Sequence, residues 1–231
     1  MNKLSLLIAV GCLAGCASIR PELKARTDQY LASVTPSDKT FGASSAGQVK
    51  AWAKGQYVIL KTVYKDEPSL LKMSVLSHDA EGFWMQSESL GYRGRSTSKI
   101  LFRVQPRTLE EAKTAVRRLV TIDEAGKEQV FDFEDPTNPM MGMMRSSMES
   151  AWANMVLNAT IGGSHTVRVP AGTFEGCVSY STEVQFAGYR DTHQGFAHFD
   201  VPINAAVQSR SQSGDSSLEL IAFGEDGGPA L

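Results

Sequence analysis

Apolar and polar residues alternate with the period of β-strands through much of this chain. Gln56 to Lys65 is rich in Tyr, Val and Ile, and Asp66-Glu67-Pro68 punctuates it. Leu71, Met73 and Val75 then alternate with Lys72 and Ser74, the pattern of a half-buried strand. Ala80-Glu81-Gly82 marks the next turn and Phe83 to Leu90 a third strand. Gly91 to Thr97 is a looser turn, and Ile100, Phe102 and Val104 mark a fourth strand. The clearest alternation comes later. Val178, Tyr180, Thr182, Val184 and Phe186 interleave with Ser179, Ser181, Glu183 and Gln185. That spacing puts Val178, Tyr180, Val184 and Phe186 on one face. Val201, Ile203, Ala205 and Val207 follow as a strand, Ser211 to Ser216 as a turn, and Leu218 to Phe223 as the closing strand. The pattern indicates antiparallel sheet exceeding helix.

Three segments read as helical. Ala17 to Tyr30 has Pro21 and Glu22 suited to a first turn. Thr108 and Glu111 form a capping-box pattern, after which Leu109, Ala112, Val116 and Leu119 fall on one face. Arg117 and Arg118 then occupy a last turn, where the helix dipole favours cations. Asn138-Pro139 opens a helix running to about Leu157, with Met140, Met144, Met148, Trp152 and Met155 along one stripe. Between the last two, Thr121 to Phe133 reads as a hairpin turning at Glu124 to Lys127. Ser33 to Gly47 is a Ser/Thr/Gly-rich surface connection, and Gly224 to Leu231 reads as a loose tail.

The start is of a different kind. Lys3 precedes the apolar run Leu4 to Val10, and small residues lead to Leu13-Ala14-Gly15-Cys16. This is the order of a secretory signal, and the run is far shorter than the roughly 20 residues of a membrane-spanning helix. Leu13-Ala14-Gly15-Cys16 resembles the bacterial lipobox. That resemblance implies cleavage before Cys16 and acylation of its thiol, with two or more chains giving stable membrane attachment. Ala17 and Ser18 follow, and the absence of Asp there resembles outer-membrane sorting. The chain therefore divides into a signal peptide (1–15), an anchor, short helix and linker (16–47), a β domain (48–224) and a tail (225–231).

Composition changes this picture little. Lys plus Arg is 23 and Asp plus Glu is 25, so no basic stripe suggests nucleic acid. The processed domain would keep one cysteine beyond the acylated one, Cys177, and so no internal disulfide. A lone thiol of this kind is a small buried hydrophobe or, less simply, a nucleophile.

Val167-Arg168-Val169-Pro170-Ala171-Gly172-Thr173-Phe174 is a strand–turn–strand sequence, with Pro170 and Gly172 fitting turn positions and Gly172 a left-handed bulge. It also resembles a V-x-V-P-A-G-T-F signature of bacterial envelope lipoproteins. Val201-Pro202 through Val207, Leu218-Glu219-Leu220 through Gly224, Gly55-Gln56-Tyr57 and Gly82-Phe83-Trp84 resemble further pieces of that family. The family is similar to the lipoprotein carriers and receptors of outer-membrane sorting (LolA/LolB-like). The resemblance implies an α+β fold: a curved, incompletely closed antiparallel half-barrel with helices on its concave face. It transfers no ligand-contacting residue.

Other constellations point weakly to chemistry. Asp191, His193, His198 and Asp200 lie within ten positions. They form either a metal set or a polar hairpin tip, and in one extended strand the two His would face opposite sides. Ser164-His165 are adjacent, which does not suit a nucleophile–base pair, and no nucleophile elbow is present. No cofactor motif occurs. The Met stripe admits three readings: a core helix, an adaptable wall for a lipid, or a Cu(I) site. The expectation is a non-enzymatic, lipid-anchored outer-membrane protein facing the periplasm. Its β domain would bind an acyl chain, lipid or lipoprotein through Met140, Met144, Met148, Trp152 and Met155. The alternatives are an assembly protein docking a protein partner and an unrecognised hydrolase.

Overall fold

The structure is a computed structural model describing residues 18–44, 49–107, 111, 114–134, 160–186 and 189–231. Its elements are α1 (Pro21–Ser33), β1 (Thr40–Phe41), β2 (Tyr57–Tyr64), β3 (Glu67–Asp79), β4 (Gly82–Gly91), β5 (Arg95–Phe102), β6 (Val116–Ile122), β7 (Glu128–Asp132), β8 (Thr160–Val169), β9 (Gly172–Phe186), β10 (Tyr189–Ala197), β11 (Ala206–Ser211) and β12 (Ser216–Gly224). Among the described residues the strands form one sheet, in the order β8-β9-β10-β11-β12-β2-β3-β4-β5-β6-β7. Every pairing is antiparallel except that β1 runs parallel to the start of β9, with Thr40 opposite Thr173. Among the described residues β7 and β8 are the two edges, and the sheet is open.

The sheet curls. β8 touches β11 and β12, which lie beyond β9 and β10 in the sheet order. The Ala171 N–H, in the β8–β9 turn, donates to the Leu220 carbonyl at 3.3 Å. One buried cluster accordingly draws side chains from strands all round the sheet: Val58, Leu60, Met73, Met85, Ile100, Leu119, Val167, Phe174, Val207 and Leu220 among them. That cluster is the interior of the curl. A smaller cluster, Leu23, Tyr57, Ile59, Leu70, Leu90, Ile221 and Leu231, lies on the outer face under α1 and the last residues of the chain. β2 is buried on both faces, which is why its sequence is a continuous apolar run.

The four-strand meander of β2 to β5 and the β6–β7 hairpin, closed at Asp123 to Lys127, follow the sequence pattern. α1 starts at Pro21 with Glu22 in its first turn, as its sequence indicates. Several expectations are corrected. The segment ending at Leu119 is strand, not helix, from Val116 onward. β-branched Val116, Val120, Thr121 and Ile122 suit a pleated surface, and β6 satisfies the open ladder of β5. β3 is not half-buried: Lys72 and Ser74 are as buried as their apolar neighbours, because α1 and the chain's last residues cover the outer face. Val201 to Ala205 is a buried loop, with Ile203 and Ala205 at φ 68° and 58°, and β11 begins only at Ala206. α1 packs on the outer face, since Leu23 joins the outer cluster, whereas the 138–157 segment expected to cover the concave face lies outside the described residues. Residues 225–231 are no loose tail. The Gly227 N–H donates to the Gly55 carbonyl at 2.7 Å, Lys72 Nζ donates to the Pro229 carbonyl at 2.8 Å, and Leu231 is buried.

The Val169-Pro170-Ala171-Gly172 turn is a two-residue hairpin loop, since Val169 pairs with Gly172. Gly172 adopts φ 140°, and a Cβ there would stand 2.7 Å from the Lys39 carbonyl oxygen and 2.9 Å from the Phe41 ring. Glycine is required both by this positive φ and by the close approach of β1.

Candidate functional site

The interior of the curl changes character along its length. At one end Trp52 forms a floor. Its indole N–H donates to the Ile203 carbonyl at 3.3 Å, and its ring meets Phe102 and Phe83 edge-on with centroids 5.1 and 5.7 Å apart. Val201 and Ile203 of the 198–205 loop are fully buried there. Two non-glycine residues in the left-handed region cost about 1–2 kcal/mol each, so packing and the Asn204 side chain must hold the loop. Asn204 Oδ1 accepts the Ala206 N–H at 3.1 Å. Above the floor the wall is apolar: Val58, Leu60, Leu71, Met73, Met85, Ile100 and Leu119.

Towards the other end the wall becomes polar. Ser87 and Ser98 face each other across β4 and β5, both buried. Further along, Thr62 and Ser69 share a 2.7 Å hydroxyl contact, as do Ser89 and Ser96. On the facing strands Tyr180 lies opposite Gly195, Thr182 opposite His193, and His193 opposite Ser211. Gly195 makes room for Tyr180: a Cβ there would be 2.7 Å from the ring and 2.7 Å from the Ser209 Cβ. Burial pushes the Tyr180 phenol up to about 12, with a bond to Ser209 acting the other way. Burial holds the His193 imidazole below its ordinary value, partly countered by the Asp191 carboxylate. Asp191 accepts from Ser213 Oγ at 2.5 Å and from the Thr192 N–H at 2.7 Å. Ser211 Oγ accepts the Ser216 N–H at 2.9 Å, while the Ser216 hydroxyl is buried with no hydrogen-bond partner among the described residues. The result is an elongated interior, apolar at the Trp52 floor and lined by hydroxyls, a phenol and an imidazole at its far end. From Phe83 to Gly91, β4 carries this gradient over roughly 26 Å at 3.3 Å per residue.

Cys16, Met140, Met144, Met148, Trp152 and Met155 lie outside the described residues. The Asp191–Asp200 constellation divides. Asp191 and His193 stand at the polar end of the interior. His198 is buried beyond β10, with Nε2 bonded to the Gly42 carbonyl at 3.0 Å and its ring against Phe174. Asp200 is exposed and accepts from Ser44 Oγ at 2.9 Å. Among the described residues no group of three or more His, Cys, Asp or Glu is placed to hold a metal ion. Cys177 is fully buried, its Sγ 3.5 Å from the Phe174 carbonyl, and burial pushes its thiol up to about 11. That is a packing thiol, not an activated one. Ser164 and His165 are both exposed on β8. Sequence reasoning missed Trp52 as the floor and Ser209 and Ser211 as lining. The one available signal was that Tyr180 and Thr182 share the strongly alternating run.

No protein-family model matches the chain, and no curated protein is significantly similar to it. A solved Bacteroides fragilis protein with a YmcC-like fold aligns over 78% of this chain and 100% of its own, at 9% identity and a TM-score of 0.38. A score that low does not establish a common fold. Among the described residues no helix is long and apolar enough to cross a membrane.

Proposed function

We propose that this is a non-enzymatic, outer-membrane lipoprotein, acylated at Cys16, whose LolA/LolB-like periplasmic β domain binds an amphiphile carrying an acyl chain. The observation that carries the reading is the graded interior. Its Trp52 end matches an apolar chain, and its Tyr180, Thr182, His193 and Ser211 end matches a polar group. Pockets for small ligands combine this apolar majority with a few placed polar groups. The test is titration with a fluorescent fatty acid, comparing the unaltered protein with Ser98→Phe, which fills the middle of the wall. Saturable binding abolished by Ser98→Phe, with unchanged circular dichroism, is expected. No binding by the unaltered protein overturns the ligand reading. Acylation has its own test: Cys16→Ala abolishes palmitate incorporation, and normal labelling of that variant refutes it.

A second reading rests on the sheet edges. β7 and β8 carry exposed Val130 and Ile161 on edge strands, a surface that a partner's strand can extend. Lysine at both positions would abolish capture of such a partner and leave fatty-acid binding intact.

A further inference from the structure

Antiparallel strands place the turns at two ends of the molecule. One end holds the Trp52 floor, the β3–β4 turn at Ala80-Glu81 and the 198–205 loop. The other holds the turns Lys65-Asp66, Tyr92 to Gly94, Asp123 to Lys127 and Gln212 to Asp215. The start of α1 is fastened to this second end. The Arg20 N–H donates to the Tyr92 carbonyl at 2.8 Å, and the Arg20 guanidinium holds both Glu124 carboxylate oxygens at 2.6 Å. Within α1, Asp28 accepts the Tyr92 hydroxyl at 2.6 Å and pairs with Lys24 at 2.5 Å. The helix therefore cannot swing away from this rim without breaking these bonds.

Cys16 precedes Arg20 by four residues, a span of at most about 14 Å fully extended. A lipid on Cys16 holds the rim within that distance of the bilayer. The opposite turn at Glu81 lies a further β4 length away, roughly 30 Å at 3.3 Å per residue. We propose that the rim of Lys65, Tyr92, Lys127 and Ser213 is the membrane-facing surface, resting against phospholipid headgroups. The polar end of the interior, at His193 and Ser211, then faces the bilayer and the Trp52 floor points away. The rim is polar and charged, with exposed Lys65 and Lys127 alternating with exposed Asp66, Asp123 and Asp215, and it carries Tyr64 as an exposed aromatic with Lys65 Nζ 5.4 Å from its ring centroid. The tether, not net charge, sets this orientation; the lysines can meet headgroup phosphates individually, and an amphipathic ring suits the interface.

The inference rests on acylation at Cys16, and the experiment separates the two. The full lipidated protein is reconstituted into 3:1 phosphatidylethanolamine–phosphatidylglycerol vesicles. The vesicles carry a paramagnetic headgroup chelate. Fluorophores are placed singly at Lys65→Cys, Lys127→Cys, Glu81→Cys and Asp200→Cys, with mass spectrometry of the N-terminal peptide run on each sample. The expected result is several-fold stronger quenching at 65 and 127 than at 81 and 200. Equal quenching, or stronger quenching at 81 and 200, on protein with an acylated Cys16 overturns the orientation alone. An unmodified Cys16 overturns the lipoprotein reading and the orientation with it.

Discussion

Lys72 offers a quantitative test of how the last residues of the chain are held. Its ammonium is buried on the outer face, 3.8 Å from Glu88 Oε1 and within bonding distance of the Gly228 and Pro229 carbonyls, at 3.3 and 2.8 Å. Glu88 is equally buried and accepts from Gln86 Nε2 at 3.0 Å. Lys72→Met keeps the volume of the stem but leaves the Glu88 carboxylate buried without its cation. Removing one partner of a buried pair costs about 3–5 kcal/mol, whereas replacing both by apolar groups is often near neutral. The single variant should therefore lose about 3–5 kcal/mol in urea unfolding, or about 6–20 °C in Tm for a domain of this size. Lys72→Met with Glu88→Leu should recover most of that loss, because the 228–229 carbonyls lie near the surface, where water can replace the ammonium. A single-variant cost below about 1 kcal/mol would refute the argument, as would a double variant no better than the single. Either outcome would mean that water already reaches the pair.

Other predictions follow from the same packing. Cys177 should resist Ellman's reagent at pH 8 in the folded protein and react at once in urea; fast native reaction would contradict a thiol pushed up to about 11. His193 has its folded value lowered by burial, so the unfolded chain binds the proton more readily. Its contribution is intact above the unfolded value of about 6.5 and is lost as pH falls below it. His193→Gln should thus flatten the stability profile between pH 7 and 5, and an unchanged slope in urea melts would sink this. Gly195→Ala should cost about 1–3 kcal/mol by overpacking against the Gln208 carbonyl oxygen, 2.5 Å from the added Cβ, as well as Ser209 and Tyr180; a neutral calorimetric result would refute the close packing of β10 on β11.

The strands were largely legible because their signal is local. An apolar run marks β2, alternation and turn residues mark β3 to β5, and the Glu124 to Lys127 turn marks β6–β7. What the sequence hid depends on tertiary cover. Lys72 and Ser74 read as solvent-facing because nothing local reveals that α1 and residues 225–231 lie over them. Val116 and Leu119 satisfy a helical period by coincidence, and the open ladder of β5 decides the matter. Val201 to Ala205 alternates like a strand, yet the chain must turn there to build the floor. Two left-handed non-glycine residues give no warning in sequence. The site was harder still. Tyr180, His193 and Ser211 come from three strands, and only the registers Tyr180 to Gly195 and His193 to Ser211 bring them together.

The two ends of the interior are held by different means, which bears on what each can do. The floor is fixed by packing. Val201 and Ile203 are fully buried, each contributing about 1.5–3 kcal/mol, and that burial offsets the left-handed backbone at Ile203 and Ala205. Such a loop has one arrangement, because relaxing its dihedrals would expose the residues that hold it. The polar end is built from hydroxyls at 2.7–3.2 Å, among them the Thr62–Ser69 contact, in which either oxygen can be the donor, and the Ser211–Ser213 contact, in which Ser211 donates because Ser213 gives its hydrogen to Asp191. Hydroxyls can rotate to meet an incoming acceptor or donor without moving the backbone. The buried Ser216 hydroxyl already has a hydrogen to offer. A rigid apolar floor with an adjustable polar end discriminates weakly among polar groups and strongly by the length and bulk of the chain. Ligands of equal chain length with carboxylate, alcohol or amide ends should therefore bind within about tenfold of one another, equivalent to about 1.4 kcal/mol. A branched chain that cannot pass the Ser87–Ser98 wall should bind far more weakly. The reverse order of selectivity, strict for the polar group and tolerant of the chain, would show that the polar end is the fixed one.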